Sequence, residues 1–380
     1  MLNTKYIVVG AGVFGSVIAE RIASVLNEPV TVIEKRGHTG GNCHSEIDPA
    51  TGIECHRYGS HIFHTSSERV REYMARFCSF TNYRHKVLAV SQGRIYFMPI
   101  NLKTLCDIYQ RYITPSEAQK LLSSGRTDPA LAKNLEEKAI ALIGTDLYGK
   151  FIKGYTEKQW EKPPRELPPD IISRLPVRTN FNTDYFNDPY QGVPKDGYFK
   201  LFENLLSNPR IEVLLNTSFQ SVRDEIPADA TIVYTGMIDE FFDYRFGTLE
   251  WRSLRFEWET LDQADFQGTT VVNYTDAEVP YTRIHEFKHY HPERRIPFEL
   301  NKTVICREYS RSWSRGMEAY YPVNTPGNQA LLKQYQDLAE QTPNIVFGGR
   351  LGCYRYWDMD KAVLAALDCF ETQIKEKHHG

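Results

Sequence analysis

Three glycines and one carboxylate near the start of the chain have the types and spacing of a dinucleotide site. Gly10, Gly12 and Gly15 follow a short apolar run in GxGxxG spacing, and Glu34 closes a second apolar run about 20 residues later. The glycines permit a tight turn, a close approach of backbone to a diphosphate, and close packing of a helix on a strand. Glu34 can accept hydrogen bonds from an adenosine ribose and disfavours a ribose 2′-phosphate, so NAD or FAD is favoured over NADP. A tight strand–helix turn without a ligand is the alternative interpretation.

A second pair of glycines follows directly. Gly40 and Gly41, before Asn42, allow backbone to pass close to a ligand, although a plain connecting loop has the same composition. Together with the first glycines they favour FAD over NAD, because the longer cofactor must run onward into the protein. This pattern resembles the flavoprotein superfamily that includes amine oxidases.

Aromatic and basic residues further along could bind a nucleotide. Tyr155 and Trp160 have the spacing of core aromatics on a helix, and a stacking platform for a pyrimidine is the functional alternative. Arg174 and Arg283 could clamp a diphosphate, since guanidinium groups match phosphate geometry, whereas isolated arginines are normally solvated charges.

His61 and His64 lie three residues apart, but no cysteine or carboxylate stands at metal-ligand spacing from them. We therefore predict no metal and expect packed or hydrogen-bonding histidines that could line a cofactor pocket. The seven cysteines contain no CxxC pair, which is typical of reduced thiols in a cytosolic protein.

Length and charge limit the possible classes. A chain of 380 residues is long enough for two or three domains, and a net charge of −3 argues against a nucleic-acid or membrane-surface partner. No apolar run reaches transmembrane length, and the first strand begins too early for a signal peptide. We expect a cytoplasmic protein.

The order of elements supports these sites. The pattern predicts a first βαβ unit, a hairpin over 83–99, helices over 102–158, and a proline-dense loop over 161–178 that could form a lid. Several strand-like runs over 248–309 indicate an antiparallel sheet, and the chain closes with a strand, glycines and a helix over 345–375.

Seven motifs taken in order make the chain resemble the UDP-galactopyranose mutase family over nearly its whole length. They are YGSHIFHT, FIKGYTEKQW, RLPVRTNFNTDYFND, WRSLRFE, PYTRIHEFKH, YYPVN and GGRLGCYRYWDMD. The resemblance implies an α/β fold with a discontinuous Rossmann-like FAD domain (1–80, 195–240 and 325–380). It also implies an inserted helical domain (100–194) with a mobile lid around 161–178, and an antiparallel β-sheet domain (81–99 and 241–324).

The resemblance also implies an activity. Enzymes of this family interconvert UDP-galactopyranose and UDP-galactofuranose without net redox change, by attack of reduced-flavin N5 on the anomeric carbon. The product would supply galactofuranose for cell-surface glycans such as lipopolysaccharide or cell wall. A reductant such as NAD(P)H or a reductase, and a homodimer or larger homo-oligomer, are further expectations. The alternatives are a flavin oxidoreductase of the amine-oxidase-like fold and a dinucleotide-binding redox sensor.

Site residues follow from matching motifs. Arg174, Arg283 and His64 would be catalytic. Further substrate contacts would be His85, Phe151, Tyr155, Thr156, Trp160, Tyr185, Arg252, Asn273, Tyr321 and Tyr356. Cofactor contacts would be Gly10, Gly12, Val13, Phe14, Gly15, Glu34, Lys35, Gly41, Asn42, His61, Ile62, Arg350, Tyr356, Asp358 and Met359. The basic segment 289–302 has no counterpart that the resemblance explains.

Overall fold

The structure, a computed structural model, describes residues 3–123, 127–174 and 176–376, without the side chains at 173, 174 and 296. Its strands are β1 (Tyr6–Val9), β2 (Val30–Ile33), β3 (Ser45–Ile47), β4 (Glu54–His56), β5 (Phe63–Thr65), β6 (Val87–Ser91), β7 (Arg94–Met98), β8 (Tyr190–Gly192), β9 (Ile211–Leu214), β10 (Thr231–Tyr234), β11 (Trp251–Leu261), β12 (Val271–Tyr274), β13 (Arg283–Glu286), β14 (Thr303–Ser312), β15 (Tyr321–Pro322) and β16 (Ile345–Phe347). Its α-helices are α1 (Val13–Arg21), α2 (Glu68–Met74), α3 (Leu102–Tyr109), α4 (Pro115–Ser123), α5 (Leu135–Ile143), α6 (Thr145–Leu147), α7 (Gly154–Trp160), α8 (Tyr198–Leu205), α9 (Phe219–Val222), α10 (Ile238–Phe241), α11 (Arg295–Glu299), α12 (Pro326–Glu340), α13 (Gly349–Gly352) and α14 (Met359–Cys369).

A five-stranded parallel sheet, in the order β16-β10-β1-β2-β9, carries the predicted βαβ unit. Strands β1 and β2 are buried along their whole length, as their almost wholly apolar sequences require in a sheet covered on both faces; Thr31 is the one polar residue in them. Helices α1 and α14 pack together on this sheet, and β9, β10 and β16 come from later parts of the chain. The Rossmann-like unit is therefore discontinuous, as predicted.

A seven-stranded sheet, in the order β15-β11-β14-β13-β12-β6-β7, forms the second layer. The predicted hairpin β6–β7 is present, but β6 pairs with β12 in parallel, so the sheet is mixed and not wholly antiparallel. The reason is connectivity: the hairpin enters from an earlier chain segment, separated from β12 by the helical region. The register places Arg283 opposite Asn273 on one side and Glu308 on the other.

The helical region is broken where the sequence pattern predicted one helix over 129–143. Asp128 caps a short 3-10 turn, Pro129–Leu131, and Asn134 then caps α5 through the amide of Glu137. Beyond Trp160, the proline-dense stretch forms two more 3-10 turns, Pro164–Glu166 and Pro169–Arg174, which pack against α5. Its mobility as a lid stays a prediction. None of the helices in the described ranges is long and apolar enough to cross a membrane.

The segment 289–302 has a packing role that its sequence did not reveal. His291 Nε2 and Arg294 Nη2 lie 3.1 Å and 2.9 Å from the same oxygen of Glu54, a buried residue of β4. Burial acts to raise the pKa of this carboxyl, but the hydrogen bond from His291 and nearby positive charge lower it to about 2. The segment thus joins the mixed sheet to the glycine-rich unit through one buried carboxylate.

Candidate active site

One cavity of about 1210 Å³ is lined by both sheets and by the helical region. Its size exceeds the roughly 300–1,000 Å³ of ordinary small-molecule pockets. Gly10, Gly12 and Gly41 line it together with Tyr155 and Trp160. The predicted cofactor residues and the predicted nucleotide platform therefore share one cavity.

The two glycine-rich turns touch each other. Gly10 has φ +101°, and a Cβ built on Gly15 would lie 1.9 Å from the Gly10 carbonyl oxygen. A Cβ on Gly41, whose φ is +55°, would lie 3.0 Å from the Cα of Gly12. The chain needs glycine here because a Cβ would collide with neighbouring protein atoms and because Gly10 and Gly41 adopt positive φ values.

Glu34 sits at the end of β2 with its carboxylate held by backbone. Its two oxygens accept from the amides of Ala11 (2.8 Å) and Arg36 (2.9 Å). A carboxylate has about four acceptor positions, so two remain for ribose hydroxyls. The neighbouring cations, Lys35 and Arg36, both face Glu318, at 3.3 Å and 2.5 Å. The Glu318 carboxylate therefore pairs with both of the positive charges that would otherwise be available to bind a ribose 2′-phosphate.

Residues at and before the start of α14 form the rest of the cavity wall predicted to bind the cofactor. Arg350 donates from Nε to the Trp357 carbonyl (2.6 Å), and its guanidinium lies 5.0 Å from the centre of the Tyr356 ring. Asp358 occupies the N-cap position of α14, directly before Met359. Also on the cavity wall are Val13, Phe14, Gly15, Lys35, Asn42, His61, Ile62, Arg350, Tyr356, Asp358 and Met359.

Arg283 is held at the cavity by two polar contacts. Its Nη2 donates to the Tyr155 hydroxyl (2.6 Å), and its Nε lies 3.2 Å from Glu308 Oε1. Burial would raise the pKa of Glu308, but the charge of Arg283 and the hydrogen bond from His285 lower it to about 2. Arg283 therefore stays charged beside an ionised partner, with part of its side chain still exposed to the cavity (25%).

Glu308 also determines, through His285, whether the hydroxyl of Ser60 on the cavity wall donates or accepts a hydrogen bond. An ionised carboxylate only accepts, so His285 Nε2 donates to Glu308 Oε2 (3.1 Å). Burial lowers the pKa of His285, which favours the neutral ring, and its Nδ1 is then an acceptor. The hydroxyl of Ser60, 2.5 Å from Nδ1, must donate to it. Towards the cavity, the Ser60 oxygen can only accept.

Two further histidines of the cavity wall, His64 and His85, stack with Phe186. His64 Nδ1 lies 2.6 Å from Asp188, and its ring stacks on Phe186 at 3.6 Å. The His85 ring is also stacked near Phe186, with the ring centres 5.7 Å apart, and its pKa falls to about 3 through burial and then the charge of Arg283. A neutral His85 adds no positive charge to the cavity.

Comparison with known proteins decides the family. The family model described as UDP-galactopyranose mutase matches residues 150–356, and an NAD(P)-binding Rossmann-like model matches residues 8–77. A probable UDP-galactopyranose mutase from Klebsiella pneumoniae is 40% identical, covering 97% of this chain and 94% of its own. This chain belongs to the UDP-galactopyranose mutase family.

One further relative and two solved structures are also similar to this chain. A dTDP-fucopyranose mutase from Escherichia coli is 39% identical and covers 98% of both chains. A structure of reduced UDP-galactopyranose mutase matches with a TM-score of 0.78 at 15% identity, covering 99% of this chain and 95% of its own. A putative protoporphyrinogen oxidase from Exiguobacterium matches with a TM-score of 0.65 at 14% identity, covering 99% of this chain and 100% of its own. At such low identities these two matches concern the fold alone.

Of the predicted catalytic and substrate residues whose side chains the structure describes, all but two line the cavity. Those on the wall are His64, His85, Tyr155, Thr156, Trp160, Tyr185, Asn273, Arg283, Tyr321 and Tyr356. Phe151 is 2% exposed and packs in the helical core, edge-on to Tyr96. The residue spacing in the motif FIKGYTEKQW could not show which of its residues face the helical core and which face the cavity.

Arg252 is likewise buried away from the wall, at 3% exposure. It donates to the Gln159 carbonyl (3.0 Å) and to Glu161 (2.8 Å), so it holds the C-terminal end of α7. Its effect on a substrate would pass through Trp160, the last residue of that helix. Arg174 ends a 3-10 turn, and its side chain lies outside the described residues.

The sequence reasoning missed four polar residues that surround Arg283 and His64 in this structure: Ser60, His285, Glu308 and Asp188. Strand alternation could have revealed His285, which lies two residues from Arg283 on the same face of β13. Glu308 and Asp188 gave no local signal, because they meet Arg283 and His64 across 25 and 124 residues.

Proposed function

We propose that this protein is an FAD-dependent mutase that interconverts UDP-galactopyranose and UDP-galactofuranose. The observation that supports this best is the single cavity that joins the glycine turns to Tyr155, Trp160 and Arg283. A cofactor that reacts directly with a nucleotide sugar requires both binding regions to be continuous.

The residues present fit FAD. Gly12 and Gly41 leave room for a diphosphate, Glu34 has free acceptor positions for ribose, and Lys35 and Arg36 are balanced by Glu318. When bound and reduced, FAD would supply its N5 as a nucleophile towards the anomeric carbon. The chain's own contribution there is to orient the substrate and to exclude water.

The substrate would be held at the opposite wall. Tyr155 and Trp160 offer flat faces for the base, and Arg283 offers a charged donor to the diphosphate. Asn273 lines the cavity, and its buried side-chain oxygen accepts no hydrogen bond from any residue that the structure describes, so a sugar hydroxyl could satisfy it. The family resemblance adds Arg174 as the second diphosphate ligand. His64 would stand beside the flavin, and Tyr321 and Tyr356, stacked at 5.2 Å, would reach the diphosphate.

A second candidate substrate is dTDP-fucopyranose. The Escherichia coli relative named for that substrate is as similar to this chain as the Klebsiella pneumoniae relative. The two nucleotides differ by the methyl group of thymine and by the ribose 2′-hydroxyl, and fucose differs from galactose by one hydroxyl. A cavity distinguishes one methyl group by only about 1–3 kcal/mol, whereas a site that hydrogen-bonds a hydroxyl rejects the analogue without it far more strongly. Direct assay of both pairs must therefore decide which hydroxyls this cavity recognises.

The remaining parts of the proposal rest on the family resemblance. They are the three-domain division given above, a closing lid around 161–178, a cytoplasmic location and a homo-oligomeric state. A reductant such as NAD(P)H or a reductase would prime the flavin, and the product would enter cell-surface glycans.

Isomerisation by the reduced holoenzyme tests the proposal. Dithionite-reduced protein is incubated with UDP-galactofuranose, and UDP-galactopyranose is followed by chromatography, with the dTDP-fucose pair in parallel. We expect many turnovers per flavin after a single reduction, and none from oxidised protein. Consumption of oxidant in proportion to product would instead identify a flavin oxidoreductase, and no product from either pair would refute the mutase.

A further inference from the structure

Lys158 makes an unusual set of contacts on the helix that carries Tyr155 and Trp160. Its Nζ lies within hydrogen-bond distance of four backbone carbonyls, those of Tyr274 (2.7 Å), Asp276 (2.8 Å), Val279 (2.9 Å) and Tyr281 (3.1 Å). An ammonium has three hydrogens, so the four acceptors share them. These carbonyls form a small ring that the ammonium fills.

All four carbonyls belong to one connection, residues 274–281, which begins at the last residue of β12 and leads to β13. The residue just before this connection is Asn273, and Arg283 follows it by two residues. Both line the cavity. The ammonium therefore fastens the strand connection that carries the anion-binding arginine to the helix that carries the aromatic platform.

The same two elements approach closely at a second point. A Cβ built on Gly154, at the start of α7, would lie 2.6 Å from the Thr275 carbonyl oxygen. At the cavity itself, Arg283 donates to Tyr155. Lys158 lies about one helical turn beyond these points along α7, so its contacts add a third attachment between the same two elements.

We propose that Lys158 is a positioning residue for nucleotide binding, whose ammonium holds Arg283 and the Tyr155–Trp160 platform at the distance that a nucleoside diphosphate spans. This inference rests on the proposed function. Lys158 does not touch the substrate in this account. It acts by filling the carbonyl ring, so a small external ammonium of the right shape should replace it.

Chemical rescue tests the proposal. UDP and dTDP affinity is measured by isothermal titration calorimetry on FAD-loaded K158A and wild type. We expect K158A to retain FAD but to bind the nucleotide at least about tenfold more weakly, which is the order of one lost hydrogen bond to a charged group. Propylammonium, which supplies the missing stem and N–H groups, should restore most of that loss. Tetramethylammonium at equal concentration has no N–H group and should restore none.

Two further variants complete the test. In K158M an apolar side chain occupies the place of the lysine stem, so this variant should bind the nucleotide more weakly and should gain no affinity from propylammonium. K153A removes an exposed lysine from the turn that precedes the same helix and should bind as wild type does. Wild-type affinity in K158A or K158M overturns the inference, and so does a loss in folded, FAD-loaded K158A that propylammonium leaves unchanged. If K158A is not recovered folded, K158M decides alone. A wild-type protein that binds neither nucleotide would instead refute the proposed function.

Discussion

Replacing Glu308 by glutamine should destabilise the protein strongly, because the carboxylate is buried between two cationic or basic groups. It is 3% exposed and contacts Arg283 at 3.2 Å and His285 at 3.1 Å. Its pKa falls from the ordinary 4.5 to about 2. That difference corresponds to about 3 kcal/mol in favour of the ionised form. Breaking a buried ion pair by removing one partner costs about 3–5 kcal/mol, so the two estimates agree.

The assay is urea unfolding of E308Q and wild type, followed by tryptophan fluorescence at pH 7 and at lower pH. The folded-state pKa lies below the unfolded value, so the stabilisation is complete above about pH 4.5. It is lost as pH falls through about 2. The difference between the two proteins should therefore be about 3 kcal/mol at pH 7 and should shrink below pH 4.5.

Glu257 provides the matched control, because it is a glutamate on the adjacent strand β11 that pairs with Arg255 while about half exposed. E257Q should change the unfolding free energy by less than about 1 kcal/mol. If E308Q also stays within 1 kcal/mol of wild type at pH 7, the carboxylate is not the buried counter-ion of Arg283. A difference that grows on acidification would refute the sign of the pKa argument.

Three other changes give distinct readouts. Trp160→Ala should weaken UDP binding by about tenfold or more while FAD stays bound, and an unchanged calorimetric dissociation constant would remove Trp160 from the base platform. Arg252→Met should lower UDP affinity and thermal stability together, because it removes the contacts that hold the end of α7 and leaves Glu161 without its arginine partner. Loss of affinity at an unchanged melting temperature would indicate direct substrate contact instead. Glu54→Gln should lower the unfolding free energy by about 3 kcal/mol at pH 7, with the difference fading between pH 4.5 and 2, and equal acid-unfolding curves would contradict it.

The glycine-rich end of the cavity could be predicted from sequence because its determinants are local. Gly10, Gly12 and Glu34 act through one βαβ unit, where spacing along the chain fixes spacing in space. The nucleotide end could be predicted only by resemblance. Within one ten-residue motif, Tyr155 lines the cavity while Phe151 lies in the core, and the π-helical turn Tyr148–Lys153 before α7 shifts the helix phase that an ordinary 3.6-residue pattern assumes.

The anion site is harder still, because no single element defines it. Arg283 comes from β13, its counter-ion Glu308 from β14, and its hydroxyl partner Tyr155 from α7. Each contact is short, yet the three residues are separated by at least 25 positions, so no spacing rule connects them. Any change that moves α7 relative to the mixed sheet must therefore alter the anion site, even where it touches neither arginine nor ligand. We therefore expect nucleotide affinity to be more sensitive to the contacts between these elements than flavin affinity, because the proposed flavin contacts lie on the parallel sheet and its glycine turns.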